Sequence, residues 1–293
     1  MAYRKILIPF AGSDRNAGVP SSALALARKF DCYCEVLFIR PEPAQALPYL
    51  EDASPGIVMR EIVDSANQAV DAASTTLMAA FDQAAMDANV EIVDGKPTAE
   101  QVCTKFIEIE GDTIEVAVRR SRLADLVIFV VGEAQAQVGI SAVLMAVLMR
   151  SARPVLIIPR TEYVGDVGHK ISIAWDGSSE SANAVRSALP FLHAAASVKI
   201  LNVQESIEEQ GVRTDITHAL GDYLGLHSIT SAETIIDPRG KSIGSTILEQ
   251  ATQDGTDLLI MGAYGHSRVR ELILGGVTQY LLEHTTIPTL MAH

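Results

Sequence analysis

Cysteine is scarce in this chain. Cys32, Cys34 and Cys103 supply neither a disulfide framework nor the paired spacing of a metal knuckle. Cys32 and Cys34 would lie on one face of a strand, and all three read as buried thiols. Long apolar runs are missing too. None reaches the roughly 18 residues that a membrane span needs, although 48% of residues are hydrophobic and 20% charged, the balance of a globular protein. Basic residues are in excess nowhere. Residues 1 to 165 hold 15 basic and 21 acidic groups, residues 166 to 293 hold 8 and 15, and the net charge is −13. Neither half offers the cationic face that nucleic acid requires. All seven histidines lie at or after His169 without a helical HxxxH pair, so no histidine metal site is expected. No GxSxG is present, and no P-loop lysine follows the glycines near the chain end. The start MAYRKILIPF runs from a basic pair into a strand-like segment and polar GSDRN, which is not a signal-peptide pattern. A cytoplasmic location is expected.

What the chain does contain is one pattern written twice. RKILIPFAGSD (4 to 14) and HKISIAWDGSS (169 to 179) each end an apolar run in Gly-Ser, and an alanine-rich helix-like segment follows. Second strands come at EVLFIR and VKILNV, third strands at VEIVDG (90 to 95) and ETIIDP (233 to 238), and then helices around AEQVCTKFIE and SIGSTILEQATQ. ADLVIFVV corresponds to TDLLIMGA, and both copies close on a short helix and a proline-containing strand, PVLIIP or PTLMAH. Apolar runs alternating with amphipathic helices predict parallel sheets covered on both faces. Right-handed crossovers make each half a doubly wound, Rossmann-like α/β domain. The expected domains are 1–160 and 167–293, divided within RTEYVGDVGH. The first copy has an excursion from about 41 to 89: a loop, PEPAQALPYLEDASPG, and a long amphipathic helix, IVMREIVDSANQAVDAASTTLMAAFDQAAMDA, with a core-facing apolar side.

Ligands of open α/β sheets sit beyond the carboxyl ends of the strands. In the second copy this selects Asp176 after strand one, Val203 and Gln204 after strand two, and GAYG after strand four. Glycines there permit positive φ and let backbone amides approach an anion. Gly275 and Gly276 stand at the start of the last helix, whose unpaired amides and dipole favour phosphate. Asp176 suits a sugar hydroxyl or an amino group. A nucleotide fits this constellation.

The strand, Gly-x2-Gly-x9-Gly, the helix and a terminal strand containing IPTL together resemble the universal stress protein (UspA-like) family, in two tandem copies over essentially the whole chain. The resemblance implies two five-stranded parallel sheets in the order 3-2-1-4-5, and binding of ATP, or ADP or AMP, with or without Mg²⁺, where the glycine motif is kept. It carries phosphate contacts to Gly262, Gly265, Gly275 and the backbone of Gly276 and Val277, with Asp176 and Val203 on the adenosine side. Ala174, two residues before Asp176, and Met261, beside Gly262, complete the candidate set. Family members that bind ATP usually have Ser or Thr where this chain has Gly276, so one hydroxyl contact is missing and weakened binding is expected. Thr278 is a candidate to replace it.

The first copy departs further. Ala11 stands where the second has Asp176, and Val130 and Glu133 fall opposite Gly262 and Gly265, so no ATP binding through this motif is expected there. Gly132 and Gly139 are then turn formers, and this half is a pairing partner or the site of another ligand. His266 and Arg268 read equally as phosphate contacts or solvated loop residues. Asp176 reads as a ligand group, against a capping role for which Ser178 and Ser179 compete. Trp175 reads as core packing and Lys241 as solvated. No catalytic constellation emerges, so binding with a regulatory stress-response role is the main expectation. A slow ATPase or nucleotide transferase, and a pseudo-dimeric scaffold without nucleotide, are the alternatives. Expected partners are an adenine nucleotide, the chain's own other repeat through PVLIIP and PTLMAH, and a second copy in a homodimer. Nucleic acid and membrane are not expected.

Overall fold

The computed structural model describes residues 2–11, 21–42, 57–97, 102–131, 142–159, 167–204, 210–264 and 276–293. They form an α/β fold with mostly parallel strands, in two compact units: Tyr3–Ile128, and Phe129–His293 with Ala2.

The first unit contains β1 (Lys5–Ala11), α1 (Ser21–Lys29), β2 (Tyr33–Arg40), α2 (Ile57–Ala88), β3 (Glu91–Ile92), β4 (Cys103–Glu110), α3 (Thr113–Ser121) and the start of β5 (Leu126–Val131). Its strands are parallel in the order β3-β4-β2-β1-β5. Ile6, Leu7, Ile8, Val36, Leu37, Leu126 and Ile128 are buried, as continuous apolar strands covered on both faces should be. α2 has the bounds expected from the sequence and buries Leu77, Phe81, Ala84, Ala85 and Ala88. The loop reading for PEPAQALPYLEDASPG falls on 41–56, of which 43–56 lie outside the described residues. All three cysteines are buried and free, and burial pushes the Cys32 thiol up to about 12.

One expectation is overturned here. The segment read as a helix, AEQVCTKFIE (99–108, of which 99–101 lie outside the described residues), holds the first six residues of strand β4, and the expected third strand at 90–95 supplies only the two-residue edge strand β3. Short apolar runs do not distinguish helix from strand by periodicity. Cys103–Glu110 is settled by its neighbour: eight register pairs with β2, from Tyr33↔Cys103 to Arg40↔Glu110, and a Thr104 Oγ1 bond to the Cys34 carbonyl at 2.9 Å.

The second unit contains α4 (Ala142–Arg150), β6 (Val155–Pro159), β7 (Lys170–Ala174), α5 (Ser179–Ser187), α6 (Leu189–Ala194), β8 (Ser197–Val203), α7 (Gln210–Leu226), β9 (Ser231–Ile236), α8 (Ile243–Gln253), β10 (Leu258–Gly262), α9 (Gly276–His284) and β11 (Thr289–Ala292). The strand order is β6-β11-β10-β7-β8-β9, parallel except where β6 runs antiparallel to β11. Leu290↔Leu156 is the centre of that antiparallel pairing. The compact units and the sequence repeats therefore do not share a boundary: α4 and β6 end the first repeat but belong to the second unit.

Both repeats pin the start of strand one with the aspartate before strand four. Asp125 Oδ2 accepts from the backbone N–H of Arg4 at 2.8 Å and of Lys5 at 3.0 Å. Asp257 Oδ1 accepts from Gly168 and His169 at 2.9 Å and from Lys170 at 3.0 Å. The "ADL" and "TDL" of the two copies thus share a structural task.

Candidate functional site

A cleft of about 290 Å³ opens at the carboxyl ends of β7, β8 and β10. Ala174, Asp176, Val203, Met261, Gly262, Gly276, Val277 and Thr278 all line it. Those eight are among the residues that the sequence singles out. Gly265 and Gly275 complete that set but lie outside the described residues, as do Glu133, Gly132, Gly139, His266 and Arg268. Trp175, Leu201, Ile243, Ile247 and Tyr264 also line the cleft. Sequence reasoning from strand ends does not reach the two isoleucines, because they stand in the first turns of α8, which face the same space.

The DGS segment has a local job for each residue. Gly177 takes φ +78, which turns the chain from β7 into α5. Ser178 is the N-cap of α5, its Oγ accepting from the Ser181 N–H at 3.1 Å. Asp176 Oδ1 in turn accepts from the Ser178 N–H at 3.0 Å and the Ser178 hydroxyl at 2.6 Å. The cap is therefore Ser178, and Asp176 buttresses it while its side chain stays exposed beside the cleft.

Trp175 is held firmly. Its Nε1 donates to the Ile216 carbonyl at 3.0 Å, its N–H to the Leu201 carbonyl at 2.9 Å, and its own carbonyl accepts from Asn202 Nδ2 at 3.0 Å. Trp175 is only half-buried and stands in the cleft wall, not in the core as the sequence suggests. Gln204, at the same end of β8, is 8% exposed and its Nε2 has no hydrogen-bond partner among the described residues. Lys241 is ion-paired with Glu249 at 2.6 Å and stands away from the cleft lining.

Gly262 has a packing reason for being glycine that the sequence does not show. A Cβ there would lie 2.5 Å from the Ser181 backbone nitrogen and 2.8 Å from the Glu180 carbonyl carbon. The first turn of α5 thus rests directly on the end of β10. Among the described residues of the following loop, positive φ falls on Tyr264, at +64. That conformation is held by a Tyr264 N–H bond to Thr278 Oγ1 at 3.3 Å and a Tyr264 hydroxyl bond to Met145 Sδ at 2.9 Å. Burial pushes the Tyr264 hydroxyl up to about 12. Thr278, 3% exposed, is therefore already engaged as an acceptor.

Gly276 is different. It begins α9, and a Cβ built on it meets nothing within 4 Å among the described residues. The first amides of α9 have no intrahelical acceptors, and the helix dipole adds partial positive charge. Among the described lining residues no cation is present. The cleft's means of holding an anion are backbone N–H groups and a helix N-terminus. Its other wall, of Leu201, Val203, Ile243, Ile247 and Met261, is apolar. One end suits an oxyanion and the other a flat apolar group.

Comparison with known proteins agrees with this architecture. The family model of the universal stress protein family matches residues 168–293. Universal stress protein Slr1230 of Synechocystis sp. is 46% identical over 44 residues, a match that spans 15% of this chain and 15% of that protein. A universal stress protein of Archaeoglobus fulgidus has the same fold, with TM-score 0.68 and 16% identity, over 98% of this chain and 95% of that one. A putative universal stress protein of Pseudomonas aeruginosa aligns with TM-score 0.62 and 12% identity over 99% and 93%. Residues 168–293 thus match the universal stress protein family model, and nearly the whole chain shares the fold of solved universal stress proteins.

Proposed function

We propose that the cleft of the second repeat binds an adenine nucleotide, ATP or its di- or monophosphate, and that occupancy has a regulatory role in a stress response. The base lies against Val203 and the apolar wall, the sugar near Asp176, and the phosphates at the start of α9 and the Gly265 and Gly275 positions. The observation that carries this reading is the convergence on one cleft of eight residues chosen from three strand ends and a helix start.

The reading takes the chain as a tandem pair, 1–160 and 167–293, with nucleotide binding confined to the second copy. Val130 stands in β5 where Gly262 stands in β10. Antiparallel pairing of β6 with β11 links the closing strands of the two copies. A homodimer would be read from the mass of the protein in solution.

The test is analysis of nucleotide released on denaturing freshly purified protein, followed by calorimetric titration with ATP, ADP and AMP, with and without Mg²⁺. Saturable binding at one site per chain is expected. Absence of both co-purified nucleotide and calorimetric binding would leave the scaffold reading. Sustained multiple turnover of ATP would replace a binding role with a catalytic one.

A further inference from the structure

The first unit carries a second concavity, unrelated to the nucleotide cleft. A groove of about 440 Å³ lies at the amino ends of β1, β2 and β4, lined by Arg4, Lys5, Lys96 and Lys105, by Tyr33, Glu35 and Ile107, and by Gly95 and Pro97. Four cationic side chains face one carboxylate, in a chain whose net charge is −13.

That carboxylate is already neutralised. Glu35 is 3% exposed and accepts from Lys5 Nζ at 2.8 Å, Arg120 Nη2 at 2.6 Å and the Tyr33 hydroxyl at 3.3 Å. Arg120 Nε is buried without a hydrogen-bond partner among the described residues. Lys105 has a structural task, since its Nζ donates to the carbonyls of Asp94 and Gly95 and so fixes the wall that follows β3. The Asp94 and Glu91 side chains are exposed on that wall, and Asp125 is taken up by the Arg4 and Lys5 N–H groups. Arg4 and Lys96 remain as exposed cations lining the groove, with half-buried Lys5 held by Glu35 beside them.

The second repeat is an internal control. By strand register, Arg4, Tyr33, Glu35 and Lys105 correspond to His169, Ser197, Lys199 and Ala232, and only Lys5 keeps its cation, as Lys170. There a half-buried pair of exchanged sign stands nearby, Lys199 to Asp254 at 2.6 Å. The surrounding cations are thus not shared by the two copies. The segment bearing Gly95, Lys96 and Pro97 follows β3, a strand without a counterpart among the described residues of the second repeat.

We propose that this groove is a binding site for a small phosphate-bearing anion, held by Arg4, Lys5 and Lys96 over the Tyr33 edge. Arg4 supplies the planar fork that matches phosphate, and the lysines supply point charges. The test uses the full-length protein at constant ionic strength, following backbone amide shifts of Gly95, Lys96 and Lys105 during titration with inorganic phosphate, glycerol phosphate or chloride. Saturable shifts with the phosphates alone are expected, weakened about tenfold in Arg4→Ala and again in Lys96→Ala. Both residues are exposed, and an unchanged Tm shows that the variants are folded. Tighter binding of the ester identifies a phosphorylated metabolite as the ligand, and equal affinity identifies free phosphate. Shifts that are absent, that chloride reproduces, or that persist in the double variant overturn the proposal. Nucleotide affinity at the other cleft is untouched by these substitutions, so the two sites stand or fall separately.

Discussion

Gly262 and Ser181 meet backbone to backbone. A Cβ on residue 262 would stand 2.5 Å from the Ser181 nitrogen, a separation that neither the β10 backbone nor the first turn of α5 can accept without moving. Gly262→Ala therefore loses about 1 to 3 kcal/mol of stability, the usual range for overpacking. Urea unfolding with an unchanged m value checks it, and wild-type stability would show that α5 can shift freely. Loss of ligand binding in such a variant reports packing before it reports phosphate contact.

Gly276 is the cleaner probe of the ligand. Among the described residues nothing lies within 4 Å of its Cβ, so Gly276→Ser restores a hydroxyl at the start of α9 without displacing any of them. One added hydrogen bond strengthens nucleotide binding by about 0.5 to 1.5 kcal/mol, roughly two- to tenfold. Calorimetry on wild type and variant measures it. An unchanged or weaker affinity means that phosphate does not reach this position.

Asp257 joins the start of β7 to the start of β10 through three backbone donors. Asp257→Ala leaves those N–H groups to water and costs about 1 to 3 kcal/mol. Asp257→Asn keeps one acceptor oxygen and suffers only part of that loss. Thermal unfolding of the two variants should rank wild type above Asn above Ala.

Acid should weaken the first unit through Glu35. Burial alone raises its pKa, but hydrogen bonds and charge from Lys5 and Arg120 outweigh burial, and the net direction is down. A carboxylate lowered on folding contributes stability above its unfolded pKa of about 4.3, and that contribution disappears as pH falls through the folded value. Glu35→Gln should flatten this part of the stability profile between neutral pH and acid while lowering stability at neutral pH. A profile as steep as wild type would assign the acid sensitivity to other carboxylates.

Several features are legible in the order of residues alone. The bounds of α2 follow from its amphipathic spacing, and the strand starts at Lys5 and Lys170 from their apolar runs. Asp176, Val203, Gly262 and Gly276 can be grouped because strand ends in this architecture converge on one edge. Cys103–Glu110 resists the same treatment: eight residues carry too little periodic signal to separate helix from strand. Ile243 and Ile247 escape because a helix face aimed at a ligand cleft looks, in sequence, like one aimed at the core.

The sequence by itself determined which segments are apolar on both faces, that the pattern occurs twice, and which strand ends hold the candidate ligand residues. Those are local properties, carried by spacing and residue type. Tertiary structure alone decided that Cys103–Glu110 pairs with β2, that β6 pairs antiparallel with β11, and that Gly262 is small because α5 lies on it. Each depends on which distant segment becomes a neighbour, and local periodicity marks a surface for burial without naming what covers it.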